Sequence, residues 1–246
     1  MSRSRPRLKV IINWQASLLV VMLLPVVCSL GFWQLQRSDE KHAMQQLFEQ
    51  RKASAPVMIE ELDDSSDLRY QPVRMRGEYL NDKAIFLDNR IYQGRFGYEI
   101  ITPVKLASSG SVVLVNRGWL QGDRSRRSLP AIRHIEGEVI LLGEVHVPVG
   151  KPLRLGRDDA QGWPKVVQTV DVAALTQELS HQVFPYTVRL AHNQAGAEQA
   201  NWVVVNMTPE KHTGYAVQWF AMGVALLLIG LLSNTNLWAC IAWRDK

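Results

Sequence analysis

His212, Tyr215 and Trp219 stand at the head of a long apolar run, spaced at three and seven residues. On a helix that spacing puts the three on one face. A neutral imidazole at a membrane surface suits axial ligation of haem iron. An aromatic wall below it suits a macrocycle. The plainer reading is a solvated interfacial histidine above an aromatic belt. A second constellation, Gly31-Phe32-Trp33-Gln34-Leu35-Gln36-Arg37, closes another apolar run. There Trp33 reads as an interface anchor and Arg37 as the end of the hydrophobic stretch.

Two further motifs share a form in which an apolar strand runs into Asn-Arg. They are Leu87-Asp88-Asn89-Arg90 and Val113-Leu114-Val115-Asn116-Arg117-Gly118-Trp119. The guanidinium fork of Arg90 or Arg117 suits acidic neighbours or propionates. By spacing alone, a strand end with a structural arginine is the favoured reading. His42, His134, His146, His181 and His192 show no HExxH or paired metal-ligand spacing. No G-x-S-x-G elbow, Walker A loop or G-x-G-x-x-G occurs.

The elements that must position these residues follow from charge. No Asp, Glu, Lys or Arg occurs between Lys9 and Arg37, or between Lys211 and Arg244. Each run exceeds the ~20 residues a helix needs to cross hydrocarbon. The net charge of +5 suggests a nucleic-acid binder until it is mapped. Arg3, Arg5, Arg7, Lys9, Arg244 and Lys246 against Asp245 make up the whole excess. Residues 37–211 are formally neutral, which excludes a basic stripe for phosphates. Basic tails beside both runs place both termini in the cytoplasm. A signal peptide is disfavoured, because the first run is too long for an h-region and lacks a small-residue cleavage site. Both cysteines, Cys28 and Cys240, fall within the apolar runs. The middle domain therefore has no thiolate for copper or redox work.

The expected organisation is a cytoplasmic tail at 1–10, a transmembrane helix at 11–35, a periplasmic domain at 36–211, a second transmembrane helix with its outer turn at 212–240, and a tail at 241–246. The first helix continues through Ser38–Lys52, with Pro25 inside it, and stops at Ala53-Ser54-Ala55-Pro56. Strands are expected at Val73–Leu80, Ala84–Asn89, Tyr98–Lys105, Val112–Leu120, Val139–Val147, Phe184–Leu190 and Trp202–Val205. Hairpin turns are placed at Asn81-Asp82 and Ser108-Ser109-Gly110, and another turn at Pro148–Pro152. A helix capped by Asp171 fits Asp171–Ser180. The second span is expected from about Tyr215 to about Trp238. The fold class is membrane α+β, with two transmembrane helices flanking one mainly antiparallel β domain, a small barrel or curved sheet.

Taken in order, these stretches resemble the Surfeit-locus-one family, assembly factors for haem–copper terminal oxidases. The resemblance covers almost the whole chain. It rests on Gly31-x-Trp33-Gln34-x-x-Arg37, Tyr70-x-Pro72-Val73-x-x-x-Gly77, Leu87–Arg90, Gly97-Tyr98 to Thr102-Pro103, Val113–Trp119, Ile135–Val139 and His212-x-x-Tyr215-x-x-x-Trp219-Phe220. It implies a non-enzymatic, membrane-anchored factor that delivers or inserts haem a into the oxidase catalytic subunit. His212 matches the family's haem-ligating position, with Tyr215 and Trp219 beside the porphyrin. Gln34 and Arg37 become candidate cofactor contacts. Trp33, Asn89, Arg90, Asn116, Arg117, Gly118 and Trp119 become partner or structural motifs. The implied partners are the oxidase catalytic subunit, the haem a synthesis machinery and the lipid bilayer, with no nucleic acid. The implied site is the bacterial inner membrane. A haem-independent chaperone for an oxidase subunit is the alternative, and an outward-facing membrane-anchored enzyme a weaker one.

Overall fold

The computed structural model describes residues 9–63, 65–148, 162–200, 202 and 207–236. Most of the first tail, the second tail, Cys240 and the end of the second apolar run lie outside the described residues. So do most of the turn expected at Pro148–Pro152 and most of the strand expected at Trp202–Val205. Among the described residues there are three α-helices, α1 (Trp14–Lys52), α2 (Val172–Leu179) and α3 (Pro209–Ser233). Eight strands accompany them: β1 (Val57–Met58), β2 (Pro72–Tyr79), β3 (Ile85–Tyr92), β4 (Arg95–Leu106), β5 (Val112–Gln121), β6 (Glu138–His146), β7 (Lys165–Val167) and β8 (Val183–Leu190). The chain divides into two compact units, Met1–Gln46 with Val204–Lys246, and Leu47–Val203.

In the first unit α1 pairs with α3. Both helices are long and apolar enough to cross a membrane. The 39 residues of α1 extend about 58 Å at the helical rise. It passes unbroken through Pro25 and stops at Lys52, ahead of Pro56. Leu18, Val21, Met22 and Val26 of α1 and Val217, Val224, Leu227 and Leu228 of α3 remain exposed, as a lipid-facing surface requires. The contact face carries Gly31 and Ser38 on α1 and Pro209, Ala216 and Gly223 on α3. Lipid offers no hydrophobic drive for helices to pair, so close packing and hydrogen bonds must hold them. A Cβ on Gly31 would lie 2.8 Å from the Phe220 ring, and Phe32 meets that ring edge-to-face at 5.3 Å. At one end Ser38 Oγ donates to the Pro209 carbonyl and shares a hydrogen bond with Thr213 Oγ1, each at 3.0 Å. At the other, Asn234 Oδ1 accepts from the Asn13 N–H at 2.7 Å and from Ser17 Oγ at 3.1 Å.

In the second unit the strands run β1-β2-β6-β8-β5-β4-β3-β7, and β2 also pairs with β4. That extra pairing closes β2, β6, β8, β5 and β4 into a five-stranded barrel. All its pairings are antiparallel except β5 with β8, the layout of a small Greek-key barrel of the OB type. The mainly antiparallel sheet expected from sequence is therefore present as a barrel. In β2, Val73, Met75 and Tyr79 point inward while Arg74, Arg76 and Glu78 face out, the period of two that a half-buried strand requires. Val104, Val113, Val115, Leu141, Val188 and Leu190 fill the interior with them. A second apolar layer packs α2 against Ile85, Ile101, Val112 and Leu114. Strand β5 is consequently buried on both faces. Asp171 caps α2, accepting from the Ala174 N–H at 3.1 Å.

One connection differs from expectation. Asn81-Asp82 is not a hairpin turn but part of a 3-10 turn, Asn81–Lys83. It hands the chain from β2 to β3, and β3 pairs with β4 instead of β2. The reason is the length of β4. Its 12 residues pair with β3 along one half and with β2 at Gly77–Leu106 to Tyr79–Val104 along the other. Closure brings backbones together at Gly77, where a Cβ would sit 2.2 Å from the Lys105 carbonyl oxygen. The turn at Ser108–Gly110 does join a hairpin, β4 to β5. Strands β1 and β7, of two and three residues, are too short to leave a periodic signal.

Candidate functional site

Gln34 and His212 come together where α1 and α3 meet. His212 lies in the first turn of α3, which begins at Pro209, ahead of the boundary read at Tyr215. Its Nδ1 is 2.8 Å from Gln34 Oε1. With the amide oxygen as acceptor, Nδ1 carries the proton and Nε2 keeps its lone pair. Nε2 has no hydrogen bond among the described residues. A hydrogen bond that fixes the tautomer and ring plane is the usual support for a metal-ligating histidine. The Ser38 contacts to Thr213 and Pro209 lie about one turn from the pair and hold the helices at that separation. Among the described residues no three His, Cys, Asp or Glu side chains converge on a metal-ion site. A macrocycle that already supplies four nitrogens needs only an axial donor, so His212 fits one.

The other residues of these two motifs behave differently. Tyr215 is 45% exposed and Trp33 50%, and Trp219 is half-buried. Arg37 does not reach toward α3 in an ion pair; it pairs with Glu40 on its own helix, and both side chains are exposed.

On the barrel, the two Asn-Arg motifs are tied together. Trp119 Nε1 donates to the Arg90 carbonyl at 3.0 Å. Asn116 Nδ2 donates to Glu99 Oε2 at 2.7 Å, and Glu99 Oε1 lies 3.6 Å from Arg90 Nε. Asn89 adopts a left-handed φ of 58° at a bulge in β3, and its Oδ1 accepts from Arg126 at 2.9 Å. Gly118 has φ 116°, and a Cβ there would lie 2.8 Å from the Gln199 backbone. Arg117 is fully buried. It donates to the carbonyls of Gly196 at 2.7 Å and Arg133 at 2.8 Å, and its guanidinium lies over the Tyr79 ring. Burial pushes the Tyr79 hydroxyl up to about 12. Of the two partners that sequence leaves open for Arg117, the structure supplies the acidic neighbour, with Nη2 3.5 Å from Glu198 Oε1, and the burial of the side chain leaves a propionate no access. Arg117 is a structural clamp that holds the 195–198 and 133–135 segments to the barrel.

Sequence reading missed a polar group on the outer wall of β5, β6 and β8. Arg189 stands opposite Glu144 and Asn116, and His146 follows Glu144 on the same side of β6. Strand alternation marks these residues as solvent-facing, yet they are half-buried. Burial, with Arg189 and Arg90 nearby, pushes His146 down to about 4. Burial raises the Glu144 carboxyl above the ordinary range. The one signal in the sequence was an isolated charge within each of two apolar strands, Glu144 in β6 and Arg189 in β8.

A family model described as the SURF1 family matches residues 21–224. A SURF1-like protein of Rickettsia felis is 26% identical over 228 residues, covering 90% of this chain and 98% of that one. Surfeit locus protein 1 of Xenopus tropicalis is 24% identical over 225 residues, covering 84% of this chain and 72% of its own length. A SURF1-like protein of Drosophila melanogaster is 29% identical over 150 residues, about half of each chain.

Proposed function

Because the chain belongs to the SURF1 family, we propose that it is a membrane-anchored assembly factor for a haem–copper oxidase, holding haem a on its way to the catalytic subunit. The observation that carries the haem reading is the Gln34–His212 hydrogen bond. It leaves one imidazole nitrogen free at the head of a helix apolar enough to enter a bilayer. Haem supplies the iron; the chain supplies its axial donor. Gln34 holds the imidazole plane and keeps the proton on Nδ1. The iron would be held by one side chain, His212, which Gln34 keeps in place. The protein performs no catalysis of its own on this reading. The α1–α3 pair anchors it in a bacterial inner membrane with both termini cytoplasmic, and the barrel is periplasmic. The partners are the oxidase catalytic subunit and the machinery that makes haem a.

The test is made in cells that lack this chain and carry it back as wild type or His212→Ala. Wild type restores oxidase activity and the haem a absorption of the catalytic subunit. His212→Ala restores much less of both while accumulating to the same level in the membrane. Full restoration by His212→Ala would favour a chaperone that stabilises an oxidase subunit without holding haem.

A further inference from the structure

Arg189 on the outer wall of the barrel has no role in the haem ligation proposed above. Its neighbours Val188 and Leu190 point into the barrel core, so its own side chain lies on the outside. Glu144 stands directly opposite on β6. Opposite charges in that register ordinarily pair. Here, among the described residues, Arg189 makes no ion pair, and its buried Nε has no hydrogen-bond partner. The guanidinium instead lies 5.1 Å from the centre of the Trp202 ring. That ring is fixed by its own Nε1, which donates to the Leu190 carbonyl at 2.9 Å. A buried donor left unpaired is costly, and more so when it is charged.

The space in front of Arg189 is a cavity of about 460 Å³ lined also by Phe48, Lys52, Tyr70, Glu144 and Trp202. That volume lies within the range of small-molecule sites. Phe48 and Tyr70 meet edge-to-face at 5.5 Å. Tyr70 is held by a hydrogen bond from its N–H to the Val145 carbonyl at 3.0 Å. Lys52 is a second cation in the lining, its ammonium 5.8 Å from the centre of the Phe48 ring. The cavity thus combines aromatic walls with a guanidinium whose buried Nε finds no acceptor among the described residues.

We propose that this cavity binds a carboxylate carried on a flat, largely apolar body, and that a porphyrin propionate is its ligand. Arginine's planar fork matches a carboxylate with two parallel hydrogen bonds, and the aromatic side chains take the edge of the ring. The choice of porphyrin rests on the haem-carrying function proposed above. The site itself is built only from residues of the Leu47–Val203 unit and needs no iron.

The test uses the full chain in detergent and metal-free protoporphyrin, which gives His212 no iron to ligate. Binding is followed by porphyrin absorbance and quenching of tryptophan fluorescence, against empty micelles. Protoporphyrin is expected to bind the wild type although it brings no iron. Its dimethyl ester, and protoporphyrin with Arg189→Met, are expected to bind at least ten-fold more weakly. Arg189→Lys, which keeps the charge without the fork, falls between. Equal binding of acid and ester, equal binding by Arg189→Met, or no binding of protoporphyrin would each overturn the assignment. Displacement of protoporphyrin by phosphatidylglycerol but not phosphatidylcholine would also overturn it, in favour of a lipid headgroup. If Arg189→Met loses its fold by circular dichroism, the ester comparison on wild type decides. None of these outcomes touches iron ligation by His212, which is read separately with iron-loaded haem.

Discussion

Gln34 and His212 lie 178 positions apart in the chain and share a 2.8 Å hydrogen bond. The bond decides which imidazole nitrogen is left for a ligand, so the two residues act as one device. Replacing Gln34 with Leu removes the acceptor while keeping an apolar side chain in the helix pair. Second-shell losses of this kind typically weaken metal binding by about 10–100-fold. Gln34→Leu should lower haem retention within that range and alter the electron paramagnetic resonance signals of the bound iron. Gln34→Glu, which still offers an acceptor, should retain most of the haem. Titration of the purified variants with haem, with their spectra, checks both. A merely structural Gln34 would change retention without changing the spectra.

Arg117 is predicted to matter for stability and not for ligand binding. Arg117→Met leaves the Gly196 and Arg133 carbonyls without their donor inside the protein. The expected cost is about 3 kcal/mol, read as a lower urea midpoint of barrel unfolding. Arg117→Lys recovers less than half, because one ammonium cannot span both carbonyls. Haem retained per folded molecule should not change in either variant.

His146 gives the barrel a pH dependence whose sign follows from burial. Its pKa is about 4 in the fold and about 6.5 in an unfolded chain. Below the unfolded value the unfolded chain gains a proton that the folded one refuses. Stability is therefore lost as pH falls from about 6.5 to about 4, by up to about 3 kcal/mol. Glu144, whose carboxyl is raised by burial, works in the opposite direction. The comparison of wild type with His146→Gln isolates the histidine. Urea unfolding at pH 7 and pH 4.5 should show the variant losing distinctly less stability than wild type.

How much of this was legible in the sequence depends on the range of the interaction. The two apolar helices, the end of α1 at Lys52 and the Asp171 cap follow from local residue chemistry, and six of the strands follow from β-branched and aromatic residues between turn residues. Gln34 and His212 were each conspicuous, but their hydrogen bond depends on how α1 packs on α3. Gly31 and Gly223 permit that packing without announcing a partner. Closure of the barrel was hidden because β4 is long enough to serve two neighbours, so a turn at Asn81-Asp82 read as a hairpin. Arg189, Glu144 and His146 read as an outer face because strand alternation gives the side of the wall and not what covers it. For Arg117 the structural role was the favoured reading, but its partners were hidden, because the Arg133 and Gly196 carbonyls that take it lie outside its own strand.

The central claim is that His212 ligates the iron of a haem that this protein carries. The most direct measurement is pigment extraction and absorption spectroscopy of the detergent-purified chain from cells that make haem a, with wild type and His212→Ala side by side. Haem a is expected on the wild type and little or none on His212→Ala, with both folded by circular dichroism. Equal haem content in the two proteins would contradict it.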